Sequence, residues 1–273
     1  MTQQQIQAAG GEIFCEERGD GPALVLIHPG FADSRVWDGQ WAALAGRFRA
    51  IRYDQRGFGR SQAAAGPVDR RAELAGVLDA LDVSSAILVG CSQGGEIALD
   101  FALERPERVA ALALVSTVPS GFELQGEPPA ALLELFAALE QGELEQAAEL
   151  QVRLWLDGAE RQPGELPAAL RRQVAELGMQ GLTGGGFGQE DERPLQPPAA
   201  GRLGEVRAPT LVVAGALDHP EVLRGAATLA AGIAGARELT LPGYAHLPML
   251  EQPERFNRAL LEFLGATELR RGA

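Results

Sequence analysis

Residues 86–95 of this chain read Ala-Ile-Leu-Val-Gly-Cys-Ser-Gln-Gly-Gly, and they decide the fold. A short apolar run leads directly into a Gly-x-Ser-x-Gly pentapeptide, and a helical pattern follows over residues 93–104. This order predicts a buried strand, a tight turn and a helix, with the Ser92 hydroxyl held clear of the strand end. The partial positive charge of the helix N-terminus adds to the field around that hydroxyl. Ser92 is therefore the candidate nucleophile, and a plain glycine-rich turn is the alternative.

The same rhythm of apolar run and helical pattern extends outward from this stretch. Runs typical of strands buried on both faces lie at residues 23–28, 48–54, 86–90, 110–116 and 210–215, with a weaker run at 236–241. Helical spacing appears at residues 68–81, 93–104, 221–231 and 253–264. A strand around residues 12–18 is expected to form a pair with residues 23–28 through a turn at 19–22. The alternation predicts an α/β fold with a mostly parallel central sheet flanked by helices.

Residues 120–207 break this rhythm. No apolar strand run occurs between residues 120 and 207, where helical spacing appears at 130–139, 143–156 and 168–177. The glycine-rich stretch 184–188 is not a phosphate loop, because no helical pattern and no lysine follow it. We expect one α/β core domain from residues 1–119 and 208–273, with residues 120–207 inserted as a helical cap. Phe136, Trp155 and Met179 are expected in the core of that cap, and lining of the substrate pocket is the alternative for each.

A serine hydroxyl is a weak nucleophile, so Ser92 requires a general base. The chain has three histidines. His246 follows the last strand-like run and precedes the terminal helical pattern, which is the place of a triad histidine, although a surface-loop histidine is the alternative. His28 ends the first apolar run and is expected to hydrogen-bond within its loop. His219 directly follows Asp218, so it would have to fold back to reach Ser92. We predict His246 as the base.

The base requires a carboxylate to orient it. Asp218 lies just beyond the apolar run at residues 210–215, and open α/β sheets place their ligand-handling groups at the carboxyl ends of strands. Asp33 and Asp54 are the alternatives, and both are expected to order loops instead. The predicted catalytic residues are therefore Ser92, Asp218 and His246, in the chain order Ser, Asp, His.

Acyl transfer also requires two N–H donors for the developing oxyanion. The amide of Gln93, directly after the nucleophile, is the first candidate. The loop after residues 23–28 supplies the second, and Pro29 is excluded because it has no N–H. Gly30 is the preferred donor and Phe31 the alternative. Phe31 and Trp155 are also the predicted substrate-binding residues.

Composition restricts the remaining classes of function. The 24 basic residues are all arginine, and 37 acidic residues give a net charge of −13, which disfavours nucleic acid and anionic lipid as partners. Two cysteines, Cys15 and Cys91, provide no disulfide framework and no cysteine-based metal site. The N-terminus lacks the pattern of a signal peptide, so we expect a cytoplasmic protein. We expect no cofactor, no metal and a small-molecule substrate; the sequence leaves a monomer or a homodimer open.

From about residue 12 to residue 264 the chain resembles the cap-containing serine α/β-hydrolase superfamily. The motifs that carry the resemblance are His28-Pro29-Gly30-Phe31, Trp37, Tyr53-Asp54-Gln55-Arg56-Gly57-Phe58-Gly59-Arg60-Ser61, Gly90-Cys91-Ser92-Gln93-Gly94-Gly95, Gly215, Asp218, Gly243 and His246. Enol-lactone hydrolases, small carboxylesterases and carbon–carbon bond hydrolases form the branch it resembles most. The chain departs from the pattern at Pro29, where the family usually has glycine, and this departure leaves the second oxyanion donor undecided.

These residues predict a serine esterase or lactonase that works through an acyl-enzyme. A carbon–carbon bond hydrolase of the β-diketone or dienoate type and a cofactor-free peroxidase or perhydrolase share the same triad. A ligand receptor or scaffold on the same fold is the non-enzymatic alternative, although a scaffold has no physical need for all three triad residues.

Overall fold

The computed structural model describes residues 1–8, 11–62, 66–162, 164–188 and 192–271. Its eight strands are β1 (Thr2–Ala8), β2 (Gly11–Arg18), β3 (Ala23–Ile27), β4 (Arg49–Tyr53), β5 (Ala86–Cys91), β6 (Val109–Val115), β7 (Thr210–Gly215) and β8 (Arg237–Leu241). They form one sheet in the order β1-β2-β4-β3-β5-β6-β7-β8. All pairs from β4 to β8 are parallel, whereas β1–β2 and β2–β4 are antiparallel. The predicted, mostly parallel sheet is confirmed.

The N-terminal part of the sheet differs from the prediction. Strands β2 and β3 are both present, but β4 lies between them, so the expected pairing of these two strands is wrong. Strand β2 pairs instead with β4 and with β1, a strand that the sequence analysis missed. The missed strand reads TQQQIQA and has Ile6 as its one large apolar residue, because it lies at the sheet edge and is mostly exposed.

The helices cover both faces of the sheet. They are α1 (Asp38–Ala45), α2 (Arg70–Ala80), α3 (Gln93–Glu104), α4 (Ala130–Glu140), α5 (Leu144–Gln151), α6 (Ala168–Thr183), α7 (Pro220–Gly232), α8 (Pro248–Glu251) and α9 (Pro253–Arg271). The four helical patterns predicted outside residues 120–207 correspond to α2, α3, α7 and α9. Along β3, Val25 and Ile27 belong to one core cluster, whereas Leu24 and Leu26 belong to the other. Successive side chains point to opposite faces of a strand, so two covered faces require continuous apolar runs.

The segment between β6 and β7 contains α4, α5, α6 and the π-helix Val152–Asp157, and its described residues add no strand to the sheet. Leu135, Ala147 and Leu150 belong to a separate apolar cluster in this segment. Phe136, expected in that core, is instead 48% exposed on α4, which corrects the prediction. The division into a core and a cap at residues 120–207 stays a prediction. None of the described helices is long and apolar enough to span a membrane.

Candidate active site

The nucleophile candidate lies on the predicted turn between strand and helix. Strand β5 ends at Cys91, α3 begins at Gln93, and Ser92 between them has φ 53° and ψ −120°. A positive φ is costly for a residue with a side chain, so the surrounding structure must hold Ser92 in place. Its amide donates to the carbonyl oxygen of Val115 at 2.8 Å, and its carbonyl oxygen accepts from Thr117 Oγ1 at 2.7 Å. Both contacts come from the end of the neighbouring strand β6.

The two glycines of the pentapeptide allow this turn. A Cβ on Gly90 would collide with the carbonyl oxygen of Gly94, and a Cβ on Gly94 would collide with the carbonyl oxygen of Ile27. In both cases the obstacle is backbone, which cannot rotate away as a side chain does. The Gly-x-Ser-x-Gly spacing is therefore a steric requirement for bringing α3 close to the strand ends.

A buried carboxylate–imidazole pair lies beyond the next strands. Asp218 follows β7 and His246 follows β8. His246 Nδ1 lies 2.9 Å from Asp218 Oδ2 and 3.1 Å from Oδ1, and the two side chains are only 3% and 1% exposed. A carboxylate accepts, so Nδ1 donates the proton and Nε2 is left as the free acceptor. The structure thus brings together the predicted base and the predicted orienting carboxylate.

The His246 loop packs against the residue that precedes the nucleophile. Cys91 Sγ lies 3.8 Å from the carbonyl oxygen of His246, and Cys91 is fully buried. Burial raises the pKa of the Cys91 thiol, so the thiol stays protonated and packs as a small buried side chain. Within the described part of the chain, the Ser92 hydroxyl has no hydrogen-bond partner. The contact between Ser92 and His246 therefore stays a prediction.

The two predicted oxyanion donors are neighbours in space. A Cβ on Gly30 would lie 2.7 Å from Gln93 Oε1, so the loop after β3 packs directly on the first residue of α3. The amides of Gly30, Phe31 and Gln93 have no acceptor among the described residues. Such unpaired N–H groups are the donors that an oxyanion requires. The choice between Gly30 and Phe31 stays open.

His28 fixes the loop that carries Gly30. The amide of Gln55 donates to His28 Nε2 at 2.9 Å, so Nδ1 carries the proton and donates to the carbonyl oxygen of Pro29 at 2.9 Å. Burial lowers the pKa of His28, which favours this neutral form. The expected hydrogen bonding of His28 within its loop is confirmed.

The alternative candidates for the base and for its carboxylate form hydrogen bonds elsewhere in the structure. His219 caps α7 by accepting from the amide of Glu221. Asp33 accepts from the amide and guanidinium of Arg35, and Asp54 Oδ1 accepts from the amide of Ser34 at 3.0 Å. These residues order loops and a helix end, as predicted for both aspartates.

A stacked pair of aromatic rings packs against the imidazole through Trp155. The centre of the Trp155 ring lies 5.0 Å from the centre of the His246 ring, and the two rings are tilted against each other. The Phe31 ring stacks on Trp155, with the ring centres 6.1 Å apart. Trp155 belongs to the π-helix Val152–Asp157, a wide turn that is common at functional sites. The structure thus places Trp155 against His246 and Phe31 against Trp155. Their contact with a substrate stays a prediction.

A cavity with a volume of about 820 Å³ adjoins this stack. Trp155, Gly158 and His219 are among the residues that line it, whereas Ser92 and His246 are not. A Cβ on Gly158 would touch Leu217 and Ala245, the residues that directly precede Asp218 and His246. The cavity therefore lies beside the loops that carry the pair. Among the described residues, no group of three His, Cys, Asp or Glu side chains is arranged to hold a metal ion.

The sequence and the fold of this chain are similar to those of known proteins. The family described as the alpha/beta hydrolase fold matches residues 22–253. The chain belongs to the α/β-hydrolase fold family. The matched range includes every predicted site residue from Gly30 to His246.

Relatives of this α/β hydrolase carry different activities in their names. The chain is 29% identical over 266 residues to a 2-hydroxy-6-oxo-6-phenylhexa-2,4-dienoate hydrolase of Burkholderia cepacia, covering 92% of this chain and 91% of that protein. It is 31% identical over 250 residues to a pimeloyl-(acyl-carrier protein) methyl ester esterase of Nitrosomonas europaea, covering 89% and 96%. The crystal structure of an enol-lactonase from Burkholderia xenovorans matches with a TM-score of 0.76 at 25% identity, covering 96% and 100%.

Two contacts of the site were not predicted from the sequence. Thr117 Oγ1 bonds the carbonyl oxygen of Ser92, and Glu192 Oε1 accepts from Gln93 Nε2 at 3.2 Å. Thr117 follows a predicted strand, so its position was a usable signal. Glu192 lies 99 residues from Gln93 and no local pattern connects them.

Proposed function

We propose that this α/β hydrolase cleaves a small-molecule carboxylic ester or lactone through an acyl-enzyme formed on Ser92. The observation that carries the proposal is the buried pair of Asp218 and His246, with Nδ1 and Oδ2 2.9 Å apart. A buried carboxylate held against one imidazole nitrogen leaves the other nitrogen as a proton acceptor. The strained turn at Ser92 supplies a hydroxyl at the same edge of the sheet.

The proposed reaction proceeds in two transfers. Ser92 Oγ attacks the carbonyl carbon while its proton passes to His246 Nε2, and the carbonyl oxygen becomes an oxyanion. The amides of Gln93 and Gly30 donate to that oxygen. His246 then returns the proton to the departing alkoxide as the carbon–oxygen bond breaks, which leaves the acyl group on Ser92. Water then attacks the acyl-enzyme while its proton passes to His246 Nε2. His246 gives this proton to Ser92 Oγ as the bond between Oγ and the acyl carbon breaks, and the acid product leaves.

Substrate selection is proposed to lie in the segment at residues 120–207, acting as a helical cap. Trp155 comes from that segment and lies over His246, and Phe31 lies beside it from the core. Two aromatic faces next to the reacting bond favour an apolar acyl or alcohol group. The proposed site uses the chain's own residues for every proton transfer.

Carbon–carbon bond cleavage is the second candidate. It is supported by the match to the dienoate hydrolase of Burkholderia cepacia, which extends over 92% of this chain. The same pair of Asp218 and His246 serves that reaction, so the catalytic residues do not distinguish the two candidates.

A substrate panel tests the proposal. Purified protein is assayed with p-nitrophenyl esters of graded acyl length, simple lactones and a dienoate that carries a vinylogous ketone. Turnover of esters or lactones, lost in Ser92→Ala, supports the proposed function. Turnover of the dienoate alone favours the second candidate, and ester turnover that persists in Ser92→Ala contradicts the proposal.

A further inference from the structure

The side chain of Gln93 connects the two sides of the candidate oxyanion site. Its Nε2 donates to Glu192 Oε1 at 3.2 Å. Its Oε1 is buried without a donor, and it lies against Gly30, at 2.7 Å from the position of an added Cβ. The Nε2 end of the Gln93 side chain is therefore oriented by Glu192, and its Oε1 end fills the space beside Gly30.

The carboxylate of Glu192 is held by a buried arginine. Arg70 Nε donates to the same Oε1 at 3.0 Å, and the Arg70 side chain is only 4% exposed. Arg70 also pairs with the buried Glu73 and donates to the carbonyl oxygen of Arg56 at 3.0 Å. An arginine with several fixed partners has little freedom to move. Arg70 thus provides a rigid anchor for the Glu192 carboxylate.

The backbone around Glu192 is fixed to the core as well. Glu192 forms a parallel bridge with Val68, and the amide of Arg193 donates to the carbonyl oxygen of Val68 at 2.8 Å. Residues 192 and 193 lie in the last part of the segment 120–207, between α6 and β7. The backbone position of Glu192 is therefore fixed by the core, and the hydrogen bond from Gln93 Nε2 to its carboxylate orients the Gln93 side chain.

We propose that Glu192 is a positioning residue for the oxyanion site. By fixing the Gln93 side chain against Gly30, it sets the separation between the two amides that receive the oxyanion; this role rests on the proposed function. Oxyanion donors act only within a narrow range of distance, about 2.7–3.1 Å from the developing charge. Without Glu192, the side-chain amide group of Gln93 is free to rotate. Its unpaired Oε1 then competes with the oxyanion for the backbone N–H groups.

Kinetics of three variants with p-nitrophenyl butyrate test this role. Glu192→Ala and Gln93→Ala are each expected to lower kcat roughly tenfold or more, with KM changed less than about threefold, since oxyanion contacts form in the transition state. The double variant is expected to lose no more than Gln93→Ala alone, because Glu192 acts through Gln93. Glu192→Gln keeps an oxygen acceptor for Gln93 Nε2 and is expected to restore most of kcat.

The matched control is Glu104→Ala. Glu104 pairs with Arg71, which is next to Arg70 in α2, and its side chain is about as exposed as that of Glu192, 39% against 32%. This control is expected to keep kcat within twofold, so loss of one ion pair to α2 is not by itself the cause. Thermal unfolding confirms that each variant is folded.

Two results overturn the proposal. One is a Gln93→Ala variant whose kcat stays within twofold of the Glu104→Ala control, and this test remains valid if Glu192→Ala does not fold. The other is a double variant in which the two losses multiply. Wild-type protein that neither turns over the ester nor reacts at Ser92 with a fluorophosphonate contradicts the proposed function instead, so the two failures are distinguishable.

Discussion

Asp218 and His246 form a buried contact of 2.9 Å between Oδ2 and Nδ1, although 28 residues separate them in the chain. Strands β7 and β8 are parallel neighbours, so their carboxyl ends lie at the same edge of the sheet. Each residue follows one of these strands, and the fold therefore creates the pair. The contact fixes the tautomer of His246, on which the proposed chemistry depends.

Replacing the carboxylate should remove that control. Asp218→Asn is expected to lower kcat by about 10³–10⁴-fold, because an amide can donate to Nδ1 and leave the proton on Nε2. Steady-state assays with a p-nitrophenyl ester measure the loss. Asp79→Asn is the control, since Asp79 is exposed and pairs with Arg108 at the surface. Equal activity of the two variants would mean that Asp218 does not orient the base.

The turn at Ser92 predicts an effect on stability. Gly94→Ala is expected to lower the free energy of unfolding by about 2 kcal/mol or more, because its Cβ meets the carbonyl oxygen of Ile27. Gly204→Ala is the control, since an added Cβ there meets no atom within 4 Å. Urea unfolding compares the two variants. A Gly94→Ala protein as stable as the control would contradict the tight approach of α3 to the strand ends.

Much of this turn was predictable from the sequence, because local sterics determine it. Gly90, Ser92 and Gly94 occupy positions that only a sharp strand-to-helix turn requires, and the structure has that turn. Asp218 and His246 were predictable from their places after strand-like runs, since parallel strands bring their ends together. Strand β1 was not predictable, because its burial depends on pairing with β2 and its own residues are mostly glutamine.

The contact between Gln93 and Glu192 could not be predicted from the sequence. Glu192 lies within the segment 120–207, which has no strand pattern, and its partner depends on how that segment packs on the core. Tertiary packing determines such a contact, and neither periodicity nor a motif encodes it. The same reason explains why the cavity beside Trp155 had no signal in the sequence.

Glu96, in the first turn of α3, predicts a pH-dependent stability. Burial and the negative charges of Asp100 and Glu192 raise the pKa of its carboxyl to about 7, against 4.5 in the unfolded chain. The native protein holds this proton more tightly, so its contribution to stability is complete below about pH 4.5 and is lost as the pH rises through about 7.

Replacing Glu96 with glutamine should remove this loss. At pH 8, Glu96→Gln is expected to gain on the order of 2–3 kcal/mol in free energy of unfolding relative to its difference from wild type at pH 4.5. Urea unfolding at the two pH values measures the change. A difference between variant and wild type that does not depend on pH would show that Glu96 titrates normally in the folded protein. Glu104→Gln, on the same helix, serves as the control.

The aromatic stack predicts a change in substrate preference. Trp155→Ala removes the ring over His246 and is expected to raise KM about tenfold for short p-nitrophenyl esters, since a lost aromatic contact is worth roughly 1 kcal/mol or more. Longer acyl chains are expected to lose less, because the vacated space joins the neighbouring cavity. The ratio of kcat/KM for octanoate to that for acetate measures the shift. An unchanged ratio would exclude Trp155 from the substrate site.

Covalent labelling tests whether Ser92 is a nucleophile activated by His246 and Asp218. The protein is treated with a fluorophosphonate, which reacts with activated serines, and the adduct is located by mass spectrometry of its peptides. One adduct is expected, on Ser92; it should be absent in Ser92→Ala and form much more slowly in Asp218→Asn. An active enzyme that carries no adduct on Ser92, or an adduct whose rate is unaffected by Asp218→Asn, would contradict this role of Ser92.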